Sequence, residues 1–483
     1  MELLIIPLVF ALIACFLPKQ SLKYVSIAGA VTSLVVALVH TLAYCGSSHY
    51  VSIFDPNHVT TFGLTFKMGY DGMSLFMVIL TNTIIPLIVL SNFKSEIASN
   101  KKFVSMLFLM QFALIGVFTS MDGMMFYIFW EITLIPVFLI ALWFGAEERK
   151  KILTKFFIYT FVGSLAMLLS LIAIKSIGGQ NTNFSHTDLM AVQLTSQTAF
   201  WIMGGFFLAF AIKTPIFPFH TWQPDTYTVS PMVGTMLLSA LMLKMALYGM
   251  VRWMIPLAPE AMENMVPIVV ILSLIGIVYT AILAIKQADI KRIFAFASIS
   301  HVGLIAAGIM VFTKDSVSAS FLQMFNHSLV AVGLFLCAGI LEQRLKTRNL
   351  YELGGIAKLA PKFGFWFAVI GFASVSVPFS SGFIGEFLLL KELYQYEWII
   401  GVLAGTTLVF GAVYTLRAYQ LSMFGAPKHE SFIDLTWNEW IVFFVLGMLV
   451  LAIGLFPQVI FDFVGPSIDK LMESVELSKN IVE

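Results

Sequence analysis

Long apolar stretches alternate with short polar loops along the whole chain. Each stretch runs for about 20 residues, the length that an α-helix needs to cross roughly 30 Å of hydrocarbon. Close to two of the predicted helix starts lie the motifs YDGMSLF and MDGMMFY, in which Asp71 and Asp122 are expected to cap the first turn. The pattern predicts an all-α integral membrane protein with fourteen spans, at 2–18, 24–45, 70–92, 103–120, 122–145, 153–176, 198–219, 229–251, 264–285, 291–312, 317–341, 363–390, 397–420 and 438–463.

The loop charges predict an orientation. The start, MELLIIPLVFALIACFLPKQ, has the length of a signal peptide, but it lacks a basic first region and a small-residue cleavage site, so we interpret it as the first span. Most of the 28 Lys and Arg residues fall in loops on one side of the predicted membrane. Because basic loops stay in the cytoplasm, both termini are predicted to face the other side.

Composition narrows the function. Hydrophobic residues make up 59% of the chain and charged residues 11%, against about 25% charged in soluble domains. The net charge of +1 gives no indication of a nucleic-acid partner, and the expected surroundings are membrane lipids. Cys15, Cys45 and Cys337 are too far apart for an iron–sulfur cluster or a disulfide framework. We therefore expect no metal or redox cofactor on this chain.

Ionisable residues inside the spans are the strongest functional signal. A charge at the bilayer centre costs at least about 2.5–3.5 kcal/mol. One Glu–Lys pair could be a structural ion pair, and a neutral histidine often only joins two helices by a hydrogen bond. A series spread over six spans is instead typical of a proton relay. The residues are Glu131, Lys213, Lys244, His301, His327 and Glu386.

Two of the spans carry helix breakers beside the charge. Pro215 and Pro218 follow Lys213, and Pro378 and Gly382 precede Glu386. Freed backbone groups are tolerated in a membrane only where protein or water satisfies them, so each break predicts a hydrated ion site. Interrupted spans at corresponding positions predict two inverted five-helix repeats, spans 4–8 and 9–13. The predicted divisions are 1–102 for the first helices, 103–252 and 264–420 for the two half-channel repeats, and 421–483 for the last helix and tail.

Several motifs resemble one protein family over essentially the whole chain. FWEITLIP, AIKTPIFPFHTWQPD, LKMALYGMVR, KQADIKRIFAFASISHVG, FNHSLVAVGLF and SGFIGEF are similar to segments of the proton-translocating, antiporter-like membrane subunits of respiratory complex I. Of the paralogous L, M and N types, the chain most resembles type M. Glu386 stands where other types have lysine, and no long lateral helix is expected after the last span.

The resemblance implies a role for each buried ionisable residue. Glu131 would partner Lys213, the pumping group of the first half. Lys244 would lead to the relay of His301 and His327, and Glu386 would serve the exit of the second half. His220, beside the break, would be a relay or a cytoplasmic inlet.

The resemblance also implies the wider assembly. NADH, FMN, iron–sulfur clusters and quinone would be bound by partner subunits, and the L and N types would be neighbours in a bacterial inner membrane. Thr226 and Tyr227 depart from the family's usual Ala-His, which leaves the inlet undefined. Asp225 is interpreted as a helix cap and KQADIKR as an ordinary positive-inside loop.

Other classes of function remain open from the sequence. A subunit of a multi-subunit Na⁺/H⁺ antiporter or of a membrane-bound hydrogenase would share the fold and most of the charges. A haem-binding electron carrier could use His301 and His327 as axial ligands, since they lie on consecutive spans that could face each other. A transporter for an organic solute is disfavoured, because every buried polar group suits a proton.

Overall fold

The computed structural model describes residues 1–44, 49–56 and 63–480, with side chains as far as Leu477. Cys45, one of the three cysteines considered above, lies outside the described residues. The helices of the described part are α1 (Glu2–Phe16), α2 (Lys19–Tyr44), α3 (Gly72–Ser91), α4 (Lys101–Thr119), α5 (Gly123–Phe144), α6 (Arg149–Gly178), α7 (His186–Met190), α8 (Ser196–Lys213), α9 (Gln223–Val229), α10 (Met232–Leu257), α11 (Met262–Lys286), α12 (Ile290–Val311), α13 (Lys314–Leu345), α14 (Ile356–Leu359), α15 (Pro361–Ser374), α16 (Ser381–Tyr396), α17 (Trp398–Met423), α18 (Trp437–Leu455) and α19 (Gln458–Asn480). Short 3₁₀ turns lie at Glu96–Ser99 and Pro259–Ala261, and the antiparallel strands β1 (Val51–Phe54) and β2 (Met68–Tyr70) pair Val51 with Tyr70.

Most of the helices have the dimensions of membrane spans. Within the described residues, eleven helical stretches are long and apolar enough to cross a bilayer, and α1 is a shorter apolar helix. The predicted count of fourteen stays a prediction. The last predicted span, 438–463, is wrong at its end, because α18 stops at Leu455 and Pro457 separates it from α19. α19 carries Asp462, Asp469 and Lys470, so it is amphipathic rather than a continuation of the span.

Both predicted aspartate caps are confirmed. The Asp71 carboxylate accepts a hydrogen bond from the Ser74 amide at 3.0 Å and begins α3. The Asp122 carboxylate accepts from the amides of Met124 and Met125, at 2.9 and 3.1 Å, and begins α5. These bonds satisfy amide groups that have no partner within their own helix.

The first break lies where the prolines predict it. α8 ends at Lys213, and α9 begins at Gln223, so Pro215 and Pro218 lie in the connection. The Ile216 amide donates to the Ala211 carbonyl instead of continuing the helix, and the Trp222 indole donates to the Ile212 carbonyl at 2.8 Å. A buried side chain therefore supplies a donor next to the interrupted backbone.

The second break separates α15 from α16. Pro378 lies in the connection, but Gly382 was wrongly predicted to be part of it, because it is the second residue of α16. A Cβ at Gly382 would lie 2.9 Å from Ser376 Oγ and 3.0 Å from the Ala373 carbonyl. Glycine is needed there because the start of α16 packs directly against the broken segment.

Polar chemistry is concentrated on the central helices. The apolar windows of α10, α12 and α13 are wholly buried, whereas much of α2 and α17 is exposed on the outside. α10 is not a uniform α-helix, because wider π-helical turns at Leu238–Met242 and Met250–Met254 flank the segment that holds Lys244. Such turns are frequent at functional positions in helices. The centre of the bundle is therefore the place to look for a site.

Candidate functional site

Lys244 and His327 form a buried polar contact between α10 and α13. The lysine Nζ donates to the Ser239 carbonyl at 2.7 Å and lies 2.6 Å from His327 Nδ1. The other ring nitrogen of His327 lies 3.1 Å from the Ser298 hydroxyl on α12. Three helices thus meet at one imidazole that connects a primary amine with a hydroxyl, both of which can carry a proton.

His301 and Glu386 form a second contact, between α12 and α16. His301 Nδ1 lies 2.8 Å from Glu386 Oε1, and the same oxygen accepts a hydrogen bond from the Gln323 amide at 2.9 Å. The Tyr414 hydroxyl on α17 lies 3.2 Å from His301 Nε2. Glu386 is almost completely buried, and its Oε2 has no hydrogen-bond partner among the described residues.

A small cavity joins these two contacts. Its volume is about 30 Å³, and Ser298, His301, His327 and Glu386 are among its lining residues. A water molecule needs about 10–15 Å³ of such space and two to four polar partners, so one or two waters fit. The rings of His301 and His327 lie 6.4 Å apart, centroid to centroid. We call Lys244, His327, Ser298, His301 and Glu386 the second site.

The histidine geometry argues against axial ligation of a haem. Each ring nitrogen of His301 and His327 already has a protein partner, namely Glu386, Tyr414, Lys244 and Ser298. The cavity between the rings is also far too small for a porphyrin. Elsewhere, the described residues contain no group of three His, Cys, Asp or Glu side chains placed to hold a metal ion.

Glu131 and Lys213, with Trp130, form what we call the first site, and its two charged groups are apart. Within the described residues, no Glu131 oxygen lies within 4.0 Å of the Lys213 ammonium, so the two do not form an ion pair. The Lys213 ammonium lies instead over the Trp130 ring, 5.3 Å from its centre, and the lysine is 2% exposed. Glu131 has Tyr127 and Ser164 as polar neighbours, and its Oε1 is buried with no hydrogen-bond partner in the described chain.

His220 lies in the broken segment but is not hydrogen-bonded to the first site. Its ring stacks on Phe217 at 5.7 Å and meets the edge of Tyr279 at 5.6 Å. Its Nδ1 is buried without a hydrogen-bond partner among the described residues, like the Thr214 hydroxyl in the same segment. The structure therefore places His220 at the break without giving it a hydrogen bond to Lys213.

Comparison with known proteins decides the family. The model of the family described as "NADH:quinone oxidoreductase/Mrp antiporter, TM" matches residues 120–411. The chain belongs to this family. It is 33% identical to NADH-quinone oxidoreductase subunit M of Rhodobacter capsulatus over 94% of this chain and 91% of that protein.

Two solved structures contain chains with the same fold. A chain of respiratory complex I from Thermus thermophilus with bound NADH superposes with a TM-score of 0.90 at 29% identity, covering 98% of this chain and 99% of the other. A chain of the Mrp complex from Dietzia sp. DQ12-45-1b superposes with a TM-score of 0.89 at 18% identity, over 100% and 99% of the two chains. The first likeness supports the complex I resemblance, and the second shows the shared fold alone.

Sequence reasoning about this antiporter-like chain missed several partners of the ionisable residues. They are Trp130, Ser298, Gln323 and Tyr414. Gln323 gave a usable signal, because it lies four residues before His327 and so on the same helix face. Tyr414 gave none, since its contact with His301 joins residues 113 positions apart.

Proposed function

We propose that this chain is the proton-translocating, M-type membrane subunit of an NADH–quinone oxidoreductase. Protons would pass through groups buried at the centre of the bundle, while electron transfer takes place elsewhere in the complex. The proposed transfer groups are Glu131, Lys213, Lys244, His327, His301 and Glu386. Residues 103–252 and 264–420 would supply one half-channel each.

The second site carries this proposal. Lys244 and His327 are 2.6 Å apart, and His301 and Glu386 are 2.8 Å apart, with the cavity between the two contacts. A proton that leaves Lys244 for His327 would need only one or two waters to reach His301 and then Glu386. The unpartnered Oε2 of Glu386 gives the arriving proton an acceptor. Amine, imidazole and carboxylate in series suit proton transfer and offer no surface that fits a larger solute.

The first site suits a conformational step. Lys213 is held over an aromatic ring, and Glu131 retains a buried oxygen without a partner. When a carboxylate approaches a buried lysine, it stabilises the charged amine, and when it withdraws, the amine is inclined to lose its proton. Movement of Glu131 relative to Lys213 would therefore load and release a proton. His220, with a free ring nitrogen at the break, would serve the inlet.

The setting follows from the same proposal. The neighbours would be the L-type and N-type antiporter-like subunits in a bacterial inner membrane, with both termini of this chain on the non-cytoplasmic side. Partner subunits would bind NADH, FMN, iron–sulfur clusters and quinone.

Lys213→Ala in membrane vesicles tests the proposal. NADH oxidation and proton uptake are followed in parallel, with assembly checked on the purified complex. Because a positioned proton-transfer group typically contributes about a hundredfold or more, we expect an assembled complex whose proton uptake falls by about tenfold or more. Lys151→Ala, which removes an exposed lysine at the start of α6, is the matched control and should behave as wild type.

Two other results would contradict the proposal in different ways. Unchanged uptake and oxidation in Lys213→Ala would make the lysine structural and the pathway wrong. Proton movement with no dependence on NADH in wild-type vesicles would favour a subunit of a Na⁺/H⁺ antiporter.

A further inference from the structure

Three successive carbonyls at the end of α9 each accept a hydrogen bond from a different element. The Thr228 carbonyl accepts from Arg348 at 2.9 Å, and the Ser230 carbonyl accepts from the Lys291 ammonium at 2.6 Å. Between them, the Val229 carbonyl accepts from the Ala146 amide at 2.9 Å. Carbonyls at a helix C-terminus carry partial negative charge, so cations are the donors that stabilise them best.

The cations belong to the second half of the chain. Lys291 and Arg292 start α12, in the KQADIKR motif, and Arg348 follows α13. Arg292 also contacts α9, through a 3.0 Å ion pair with Asp225 in the first turn of that helix. We call Lys291, Arg292 and Arg348 the basic clamp.

The basic clamp corrects two interpretations made from the sequence. KQADIKR is not simply a solvated positive-inside loop, because the Lys291 side chain is 3% exposed and faces α9. Asp225 is not a helix cap, because Trp222 occupies the cap position of α9 and Asp225 pairs with Arg292. A cation this deeply buried is retained where its hydrogen bonds offset the loss of hydration.

Acidic groups hold the clamp in place. Glu342, at the end of α13, lies 3.2 Å from Arg348 and 3.9 Å from Lys291. Asp289 lies 3.0 Å from Arg348 and also caps α12 through the Lys291 and Arg292 amides. The clamp is therefore part of a network of ion pairs and hydrogen bonds that joins α12, α13 and α9.

The start of α9 lies next to the backbone of the first site. Trp222 immediately precedes α9, is 1% exposed and donates its indole N–H to the Ile212 carbonyl. Ile212 is the residue before Lys213. At the end of α9, the Val229 carbonyl accepts from Ala146, which lies just beyond α5, the helix that carries Glu131. α9 thus has the second repeat at one side, the Glu131 helix at another and the Lys213 backbone at its start.

We infer that the basic clamp positions α9 and, through Trp222, sets the place of Lys213 relative to Glu131. Movement of α12 and α13 in the second repeat would shift α9 and change the first site without any contact between the two ion sites. Lys291, Arg292 and Arg348 are positioning residues in this inference, not proton carriers. Its functional part rests on the proposed proton translocation.

Lys291→Met and Arg348→Met in the assembled complex test this inference. Hydrogen exchange followed by mass spectrometry reports directly on α9, and we expect the amides of residues 223–230 to exchange about threefold faster or more, since lost local contacts favour local opening. Proton uptake per NADH oxidised should fall by about twofold or more while assembly is retained, because the coupling of the two repeats is a free energy that the clamp supplies. Lys291→Arg should restore both readouts, since a guanidinium can still donate to the Ser230 carbonyl.

Lys286→Met is the matched control. It removes an exposed lysine from the end of α11, a few residues before the same loop, and should change neither exchange nor uptake. In a Lys213→Ala background, Lys291→Met should cause no additional loss of uptake, because the clamp acts through Lys213.

The possible failures are distinguishable. If Lys213→Ala abolishes uptake but Lys291→Met and Arg348→Met leave both exchange and uptake unchanged, the clamp inference is overturned and the proposed function stands. If the clamp variants accelerate exchange in 223–230 while Lys213→Ala pumps normally, the clamp positions α9 but the proposed function is wrong. Equal losses from Lys291→Met with and without Lys213 would also overturn the inference, because they would place the clamp outside the Lys213 route.

Discussion

The two sites contain similar chemical groups, but they differ in whether those groups contact one another. In the second site, Lys244, His327, His301 and Glu386 are linked by contacts of 2.6 and 2.8 Å around one small cavity. In the first site, the charged groups of Lys213 and Glu131 do not form an ion pair, and the Lys213 ammonium lies over the Trp130 ring. Each site nevertheless keeps one buried carboxylate oxygen without a hydrogen-bond partner among the described residues.

This difference suggests a division of work. A connected series can pass a proton with small shifts, whereas charges that do not form an ion pair need a movement before a proton can pass between them. On the proposed function, the first site would gate and the second would conduct. The basic clamp, which ties α9 to the second repeat, would let the state of one site influence the other.

Removing Lys244 should reduce proton uptake more than the other changes considered below, because it interrupts the series of contacts in the second site. In Lys244→Met, proton uptake driven by NADH should fall by about tenfold or more, as expected for a positioned proton-transfer group. Vesicle uptake assays on the assembled complex measure this. Lys244→Arg is the informative companion, since arginine keeps the charge but does not release a proton. If Lys244→Arg pumps as well as wild type, Lys244 serves as a fixed charge and the comparison between the sites is wrong.

Replacing Trp130 should make the first site resemble the second. A cation–π contact stabilises a lysine by about 0.5–2 kcal/mol, so Trp130→Leu should release Lys213 toward Glu131 and slow proton uptake by roughly threefold. Trp130→Phe keeps a ring and should fall between Leu and wild type. The initial rate of uptake at saturating NADH gives the ranking. Identical rates in the Leu and Phe variants would show that the ring does not hold the lysine.

Removing the Tyr414 hydroxyl should have the smallest effect. It deletes one neutral hydrogen bond to His301 that is long at 3.2 Å, and such a weak contact contributes about 0.5 kcal/mol, so uptake in Tyr414→Phe should slow by only about twofold. Tyr419→Phe, on the same helix, removes a hydroxyl that donates to the Gly364 carbonyl, and it is the matched control for lost hydroxyls on α17. A tenfold loss in Tyr414→Phe would instead make this hydroxyl a member of the transfer series.

The breaks and the charged positions could be predicted from sequence because each has a strong local cost. A proline inside an apolar run, or a lysine at mid-membrane, demands an explanation wherever the rest of the chain lies. Lys213 with Pro215, and Glu386 with Pro378, were therefore identifiable. Asp71 and Asp122 were identifiable as caps for a similar reason, since their partners lie within three residues.

Residues whose role depends on distant contacts could not be predicted. Trp130 is an aromatic residue in an apolar span, and its pattern is the same whether it faces lipid or a buried ammonium. Lys291 counts as an ordinary basic loop residue until the fold brings the Ser230 carbonyl to it, across 61 positions of sequence. Asp225 was predicted to cap a helix because aspartate is common at helix starts, but in the fold its carboxylate forms an ion pair with Arg292 instead.

The π-helical turns of α10 make the effect of a deletion depend on where in this helix it falls. Each wide turn accommodates one residue more than an α-helical turn requires, and together they bracket the short segment from Leu243 to Gly249. Deleting one residue from Leu238–Met242 would convert that turn to ordinary α-helix and leave the following segment close to its present orientation, because the wide turn contains the extra residue. Deleting Leu243 instead, in an α-helical stretch, would rotate Lys244 by about 100° relative to the residues before it and turn it away from His327. Among relatives of this chain, a one-residue gap outside the wide turns would therefore mark a functional difference as surely as a substitution of the lysine itself.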